Sequence, residues 1–269
     1  MAEIRSNKKT KKKKPPVRTG ILGNAIDYRF YKMNIKEIFI GFTIGFVSTA
    51  LVFFIFFRYI PLSVAAGIIA GIVSINYYKK YLISKRKERL LAGFKQLLEE
   101  LSTSYSAGSN TYKAFQEAYE GLRGSLGERS EITNEVRIIL QGIRNNYNIE
   151  LLIRDFADRS DLEDVRSFAD VFEMAYRMGG DFKKIVSDTR EVLCDKIDME
   201  RRIQGALSSG KQELYIMMVM PLVVTLSLNV DSSMSIASNS FVFLITKIGA
   251  LALFVVAFLI GSRIIKIRV

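Results

Sequence analysis

Carboxylates are the residues of this sequence that could perform acid–base or metal chemistry, because the chain contains no histidine. They are dense after position 160, where several of them lie three or four residues from an arginine. Charges at that helical spacing are typical of surface ion pairs, and we interpret them so. A divalent-cation site on one helix face is the alternative. The residues are Asp161, Glu163, Asp164, Asp170 and Glu173, with Arg159, Arg166 and Arg177.

Other catalytic chemistry lacks its usual residues. Cys194 is the single cysteine, and no histidine is present to act as its general base. No phosphate-binding loop of the form G-x-x-x-x-G-K-[ST] occurs, and we interpret Gly121, Gly124 and Gly127 as a turn. We therefore expect no enzymatic activity, and no cofactor or metal ion.

The elements that carry these residues divide into apolar blocks and a polar centre. A membrane-crossing helix needs roughly 17 to 25 apolar residues. Four blocks, nearly free of acidic residues, have that length, and we predict four transmembrane helices. The blocks are Ile38–Phe57, Ile60–Tyr78, Leu214–Val230 and Phe241–Ser262.

Charge predicts the orientation of these helices. The formal net charge is +12, and eleven lysines and arginines lie in residues 1–36. Lys79–Arg89 and the C-terminal end are also basic, whereas Asp231–Ser240 contains no Lys or Arg. Since basic segments stay on the cytoplasmic side, we expect a multi-pass protein of the cell membrane. Both termini and the central domain would then be cytoplasmic.

The first two apolar blocks are predicted to form a tight transmembrane hairpin, residues 37–78. Each contains a GxxxG spacing, which allows two helix backbones to approach closely. In an antiparallel pair the two motifs would meet at similar depth. The glycines are Gly41, Gly45, Gly67 and Gly71. In the C-terminal hairpin, residues 214–269, we expect Pro221 to kink the third helix and Lys247 to reach the outer interface.

Residues 1–36 form a basic tail, in which Lys8–Lys14 is the densest charge run. Such a run is typical of a solvated arm, and contact with anionic membrane lipid is the alternative. The central domain, residues 79–213, contains equal numbers of basic and acidic residues. We therefore expect no nucleic-acid binding.

Apolar residues at three- and four-residue steps predict six helices in residues 79–213, a compact all-α bundle. The first and sixth should continue directly into the second and third transmembrane helices. Gly108 should end the first helix, with Ser109 or Asn110 capping the second. Asp161 should cap the fifth, Gly179 and Gly180 should end it with positive φ, and Asp181 should cap the sixth.

Two motifs give the sequence a family resemblance. Tyr105–Ala114 (YSAGSNTYKA) is similar to the pattern R-A-G-x-S-L-x-x-A-L, and Met174–Ile185 (MAYRMGGDFKKI) is similar to x-x-G-G-x-L-x-x-x-L. An arginine-rich stretch and an apolar block follow the second motif. The chain thus resembles the type II secretion system F (GspF) domain family. It is most similar to the TadB/TadC-like branch, the inner-membrane platform proteins of Flp/Tad-type pili.

The resemblance implies a scaffold that couples a cytoplasmic secretion or pilus ATPase to extrusion of pilin subunits. It also implies association with a sister platform protein or with a second copy. Gly108, Gly179 and Gly180 would be structural turns. Asp181, Lys183 and Lys184 would be contacts for the motor ATPase, or else ordinary solvated charges. The alternative function is a membrane receptor or transporter subunit with a helical cytoplasmic signalling domain.

Overall fold

The computed structural model describes residues 20–23, 25–31, 33–57 and 59–228, with a few isolated positions between 248 and 260. The described residues contain helices and no strands, which confirms the all-α class. The described residues up to 228 form seven helices: α1 Ile35–Phe57, α2 Ile60–Ser106, α3 Thr111–Leu126, α4 Glu131–Arg144, α5 Ile149–Ser160, α6 Glu163–Met178 and α7 Phe182–Leu228.

The described helices belong to two compact units. The first contains residues 20–30 and Arg86–Ser187, and the second contains Tyr31–Lys85 and the described residues from Asp188 onwards. The first unit is therefore narrower than the predicted domain, residues 79–213, and it includes part of the predicted tail. The reason is that α2 and α7 are long helices, each of 47 residues, and each supplies residues to both units.

Aromatic side chains form the interior of the first unit. Phe94 of α2 is 1% exposed, and its ring lies 5.5 Å from that of Phe168 and 6.3 Å from that of Phe156. The buried positions recur at helical spacing on α3 to α6, because each helix turns one apolar stripe inwards. The chain neighbours α3 and α4, α4 and α5, and α5 and α6 pack on one another. These contacts bring the apolar stripes of neighbouring helices into one interior.

The predicted turn at three glycines is placed differently. Gly121 and Gly124 lie inside α3, and the turn begins at Gly127, whose φ is +83°. A Cβ on Gly121 would meet the carboxyl carbon of Glu100 at 2.6 Å. Because Gly121 has no side chain, α3 can lie close to Glu100 of α2. The predicted turn is therefore wrong for Gly121 and Gly124, and it begins at Gly127.

Asp161 ends a helix and does not begin one. It follows the last residue of α5 with φ +53°, a conformation that Asp tolerates better than most residues. The N-cap position of α6 is Leu162, without a side-chain cap. The carboxylate of Asp161 instead accepts a hydrogen bond from Lys87 Nζ at 2.6 Å. The predicted cap is therefore wrong.

The second unit contains α1 and the first part of α2, where glycines of each helix face side chains of the other. A Cβ on Gly41 would lie 3.1 Å from the Cβ of Tyr78, and one on Gly71 would lie 2.6 Å from the Phe42 ring. Gly45 faces Ser74. Gly67 similarly faces Phe46, at 2.9 Å. All four glycines thus lie at the contact between the helices.

Both helices are long and apolar enough to cross a membrane. Only 11% of the most apolar window of α1 and 17% of that of α2 are buried, whereas a core helix of a soluble protein would be mostly buried. Later apolar blocks are described less fully. Helix α7 runs through Pro221 and ends at Leu228, while Lys247, most of Phe241–Ser262 and the run Lys8–Lys14 lie outside the described residues.

Candidate functional site

The first of the two resemblance motifs forms the turn between α2 and α3. Helix α2 ends at Ser106, and the chain reverses at Gly108, whose φ of +80° favours glycine. Helix α3 starts after Asn110, whose Oδ1 accepts a hydrogen bond from the backbone N–H of Lys113 at 2.9 Å. Of the two predicted caps, Asn110 is thus the one that satisfies a free amide of the first turn.

The second motif forms the turn between α6 and α7. Gly179 has φ +70°, and the backbone N–H of Gly180 donates to the carbonyl of Ala175 at 2.8 Å. Gly180 itself is not left-handed, so the predicted positive φ is corrected at this position. A Cβ on Gly180 would lie 3.1 Å from that of Ala175, and close approach is the reason for glycine there. Asp181 caps α7 through Lys184 N–H at 3.2 Å.

The structure brings these two turns together. The rings of Tyr105 and Phe182 stack at 5.9 Å with 20° between their planes, and Phe182 also lies 5.2 Å from Phe172. Between the turns is an open depression of about 320 Å³. We call it the turn surface, and its lining residues are Tyr105, Ser109, Asn110, Thr111, Gly180, Asp181, Phe182 and Lys183.

The turn surface carries two charged side chains of opposite sign. Asp181 and Lys183 are both exposed and line it, whereas Lys184 is exposed but lies outside the lining. Burial raises the pKa of the Tyr105 phenol to about 12, so this group stays neutral at physiological pH. The lining holds one carboxylate and one ammonium group, which can pair with opposite charges on another protein.

A second polar feature, a buried ionic cluster, lies in the interior of the same unit. Arg159 donates two hydrogen bonds to Glu135, at 3.0 and 2.7 Å, and one to Asp155 at 2.8 Å. Arg159 is 1% exposed and Glu135 is 0% exposed. Burial disfavours the charged guanidinium, but the bonds and charges of Glu135 and Asp155 outweigh it and raise the pKa of Arg159. The surface interpretation of Arg159 is therefore wrong.

Residues 26–30, which we call the N-terminal strap, complete this cluster. The Tyr28 hydroxyl donates to Glu135 at 2.9 Å, and the Tyr28 N–H donates to the carbonyl of Arg159 at 3.0 Å. The guanidinium of Arg86 lies 5.0 Å from the centre of the Tyr28 ring, a cation–π contact. Burial, followed by the charge of Glu135, raises the pKa of Tyr28 well above its usual value.

The sequence carries little signal for this cluster. Glu135 lies within an otherwise apolar helical stripe beside Val136 and Ile139, which is the one visible hint that it faces inwards. The strap was predicted as part of a basic tail because its neighbours are charged. A buried ion pair depends on which two helices meet, and local spacing does not encode that.

Two of the carboxylates after position 160 form ion pairs at the surface. Glu173 pairs with Arg177 four residues later at 2.7 Å, and Asp170 pairs with Arg154. In the part of the chain that the structure describes, no group of three acidic or cysteine side chains is arranged to hold a metal ion. Cys194 is half-buried. Asp170 and Glu173 thus form ion pairs on the helix faces.

Comparison with known proteins gives no relative. No family model, no curated protein and no solved structure matches this chain.

Proposed function

We propose that this protein is a membrane platform of a type II secretion or Tad/type IV-like pilus machine. One observation carries the proposal: the two motifs behind the family resemblance meet in space and form the turn surface. Helix-ending glycines alone are common in proteins. Two such turns joined by the stacked rings of Tyr105 and Phe182 are a more specific arrangement.

The membrane part of the proposal rests on exposed apolar surface. Large apolar side chains of α1 and α2 remain open, such as Phe39 at 70% and Ile69 at 67%. A contiguous apolar surface of this kind needs lipid or protein around it. We propose four membrane-spanning helices, with both termini and the bundle in the cytoplasm. The third and fourth spans and the orientation rest on the sequence pattern of apolar blocks and basic flanks.

The turn surface is the proposed contact for the assembly ATPase, through Asp181, Lys183 and Lys184. Helices α2 and α7 would carry motion of the bundle to the membrane segment, because a continuous helix transmits displacement better than a flexible linker. Pilin subunits would be extruded beside that segment. A second copy or a sister platform protein would complete the assembly.

Co-purification from the native host tests this proposal. We expect the tagged full-length protein, extracted in mild detergent, to recover an assembly ATPase, a pilin or a sister platform protein. The variant Asp181→Asn/Lys183→Glu/Lys184→Glu should lose the ATPase, because its charges are altered while Asn can still cap α7. The matched control is Glu128→Gln/Arg129→Glu/Arg123→Glu, at exposed positions in the last turn of α3 and in the turn that follows it.

Loss of the ATPase in the first variant and its retention in the control would support the turn surface as the contact. Equal recovery by both variants would contradict that assignment. Absence of all three partners after crosslinking would contradict the platform function, and recovery of a receptor or transporter subunit would favour that class instead.

A further inference from the structure

Helix α2 changes character at the end of its apolar run. No acidic residue occurs between Glu37 and Glu88 in the sequence, and the first lysines after the apolar block are Lys79 and Lys80. Tyrosines stand beside them at positions 77, 78 and 81. Tyrosine and lysine together are typical of the boundary between hydrocarbon and water, because each combines an apolar body with a polar tip.

These residues divide between two sides of α2. Tyr78 faces α1, where it covers Gly41. Tyr77 and Tyr81, one helical turn apart, are 64% and 57% exposed. Lys80 and Lys85 are exposed as well, and they lie three residues after Tyr77 and four residues after Tyr81, respectively. We call these four residues, Tyr77, Lys80, Tyr81 and Lys85, the Tyr–Lys face.

The lysines of the Tyr–Lys face differ from the basic residues that follow them. Lys87 pairs with Asp161 at 2.6 Å, and Arg89 pairs with Glu131 at 3.3 Å. Among the described residues, no carboxylate pairs with Lys80 or Lys85, although both are basic residues of the same helix.

The acidic residue at the adjoining end of α1 is already satisfied within its own turn. Glu37 accepts hydrogen bonds from the Tyr31 hydroxyl at 2.6 Å and from the Asn34 N–H at 2.8 Å. Both donors are neutral, so Glu37 keeps its charge, but among the described residues it forms no ion pair with a lysine of α2.

We propose that the Tyr–Lys face binds the phosphate groups of anionic phospholipids. The two ammonium groups would meet the headgroup phosphates, while the rings of Tyr77 and Tyr81 lie against the glycerol and upper acyl region. A soluble phosphate would use the lysines but leave both rings in water, so a lipid fits the surface better. The inference rests on the membrane part of the proposed function.

Lipid selectivity of the reconstituted full-length protein tests this inference. Spin-labelled phosphatidylglycerol and phosphatidylcholine, compared in vesicles of mixed composition, report which lipid contacts the protein. We expect phosphatidylglycerol to be preferred, and Lys80→Gln/Lys85→Gln to reduce the preference by about fivefold per lysine at low salt. Lys113→Gln/Arg129→Gln, on exposed bundle positions, is the matched control and should leave it unchanged.

Three results would overturn the inference. One is equal contact with both lipids, and another is an equal loss of selectivity in the control. The third is displacement of the labelled lipid by excess inorganic phosphate, which would assign the lysines to a soluble anion. Alkaline carbonate extraction distinguishes a failure of the lipid-binding inference from a failure of the proposed function. A protein released by carbonate contradicts the membrane platform itself, whereas one that stays in the membrane without selectivity contradicts only the lipid contact.

Discussion

In the first compact unit, Phe94 and Phe172 are buried among other side chains, and the charged pair Glu135–Arg159 is buried with them. In the second unit, α1 and α2 touch through glycines and leave residues such as Ile44 and Ile69 largely exposed. The first unit thus has a buried interior of the kind that is typical of helical bundles in water. The pair α1 and α2 combines exposed apolar side chains with close backbone packing, which is typical of helices in apolar surroundings. The two regions therefore show two different packing patterns within one chain.

The largest expected effect is loss of the buried cation in the bundle. In Arg159→Met the buried carboxylate of Glu135 loses its main partner, and we expect a destabilisation of about 3–5 kcal/mol. Hydrogen exchange of the α4 and α5 amides in the purified full-length protein measures it. Adding Glu135→Gln removes the uncompensated charge and should restore much of the protection. If Arg159→Met leaves exchange unchanged, the cluster does not stabilise the bundle.

A smaller effect is expected in the hairpin. Gly45→Ala places a Cβ against Ser74 and 3.1 Å from the carbonyl oxygen of Ala70, so α1 and α2 must separate at a cost of about 1–3 kcal/mol. Crosslinking of cysteines introduced at facing positions of the two helices reports the separation. Gly124→Ala, in open space on α3, is the control and should stabilise its helix slightly. If Gly45→Ala crosslinks as efficiently as the protein with Gly45, the glycines do not control the packing of α1 against α2.

The phenol of the N-terminal strap should contribute about 1.5–3 kcal/mol, the range for one hydrogen bond to a charged group. Tyr28→Phe keeps the ring under Arg86 and removes the bond to Glu135. Increased proteolysis of the strap in full-length protein would show the loss. Tyr28→Ala, which also removes the ring, should increase it further. A strap equally resistant in both variants would contradict its anchoring by Tyr28.

A pH dependence of similar or smaller size follows from the raised pKa of Tyr28. In the unfolded chain this phenol ionises near pH 10, while in the folded bundle it keeps its proton to higher pH. Its stabilisation is therefore present below about pH 10 and is lost as the pH rises further. Thermal unfolding of wild type and Tyr28→Phe at increasing alkaline pH should show a steeper decline in the wild type. Parallel declines would contradict the raised pKa.

Sequence reasoning succeeded where local chemistry determines structure. The all-α class followed from apolar periodicity, and Asn110 and Asp181 cap helices because their side chains reach amides of the next turn. It failed at two residues. Asp161 was predicted to begin a helix but follows the end of α5, and Gly121 was predicted in a turn but lies at a close contact between two helices. In both cases, a tertiary neighbour decides between two locally acceptable conformations.

The candidate site was predictable in part. The sequence singled out both turns, but their meeting through Tyr105 and Phe182 depends on how α2, α6 and α7 pack. The cluster around Arg159 was missed for the same reason, since its partners Tyr28 and Glu135 are 107 residues apart in the chain. Charge counting detects neither contact.

Site-specific photo-crosslinking in the native host tests the central claim most directly. A photoreactive residue at position 183, on the rim of the turn surface, should crosslink to the assembly ATPase in living cells. The same residue at position 129, on the turn between α3 and α4, should give little or no such product. A crosslink to the ATPase at 183 alone is the result that a membrane platform predicts. Absence of that product while the ATPase is expressed, or equal products at both positions, would contradict the account.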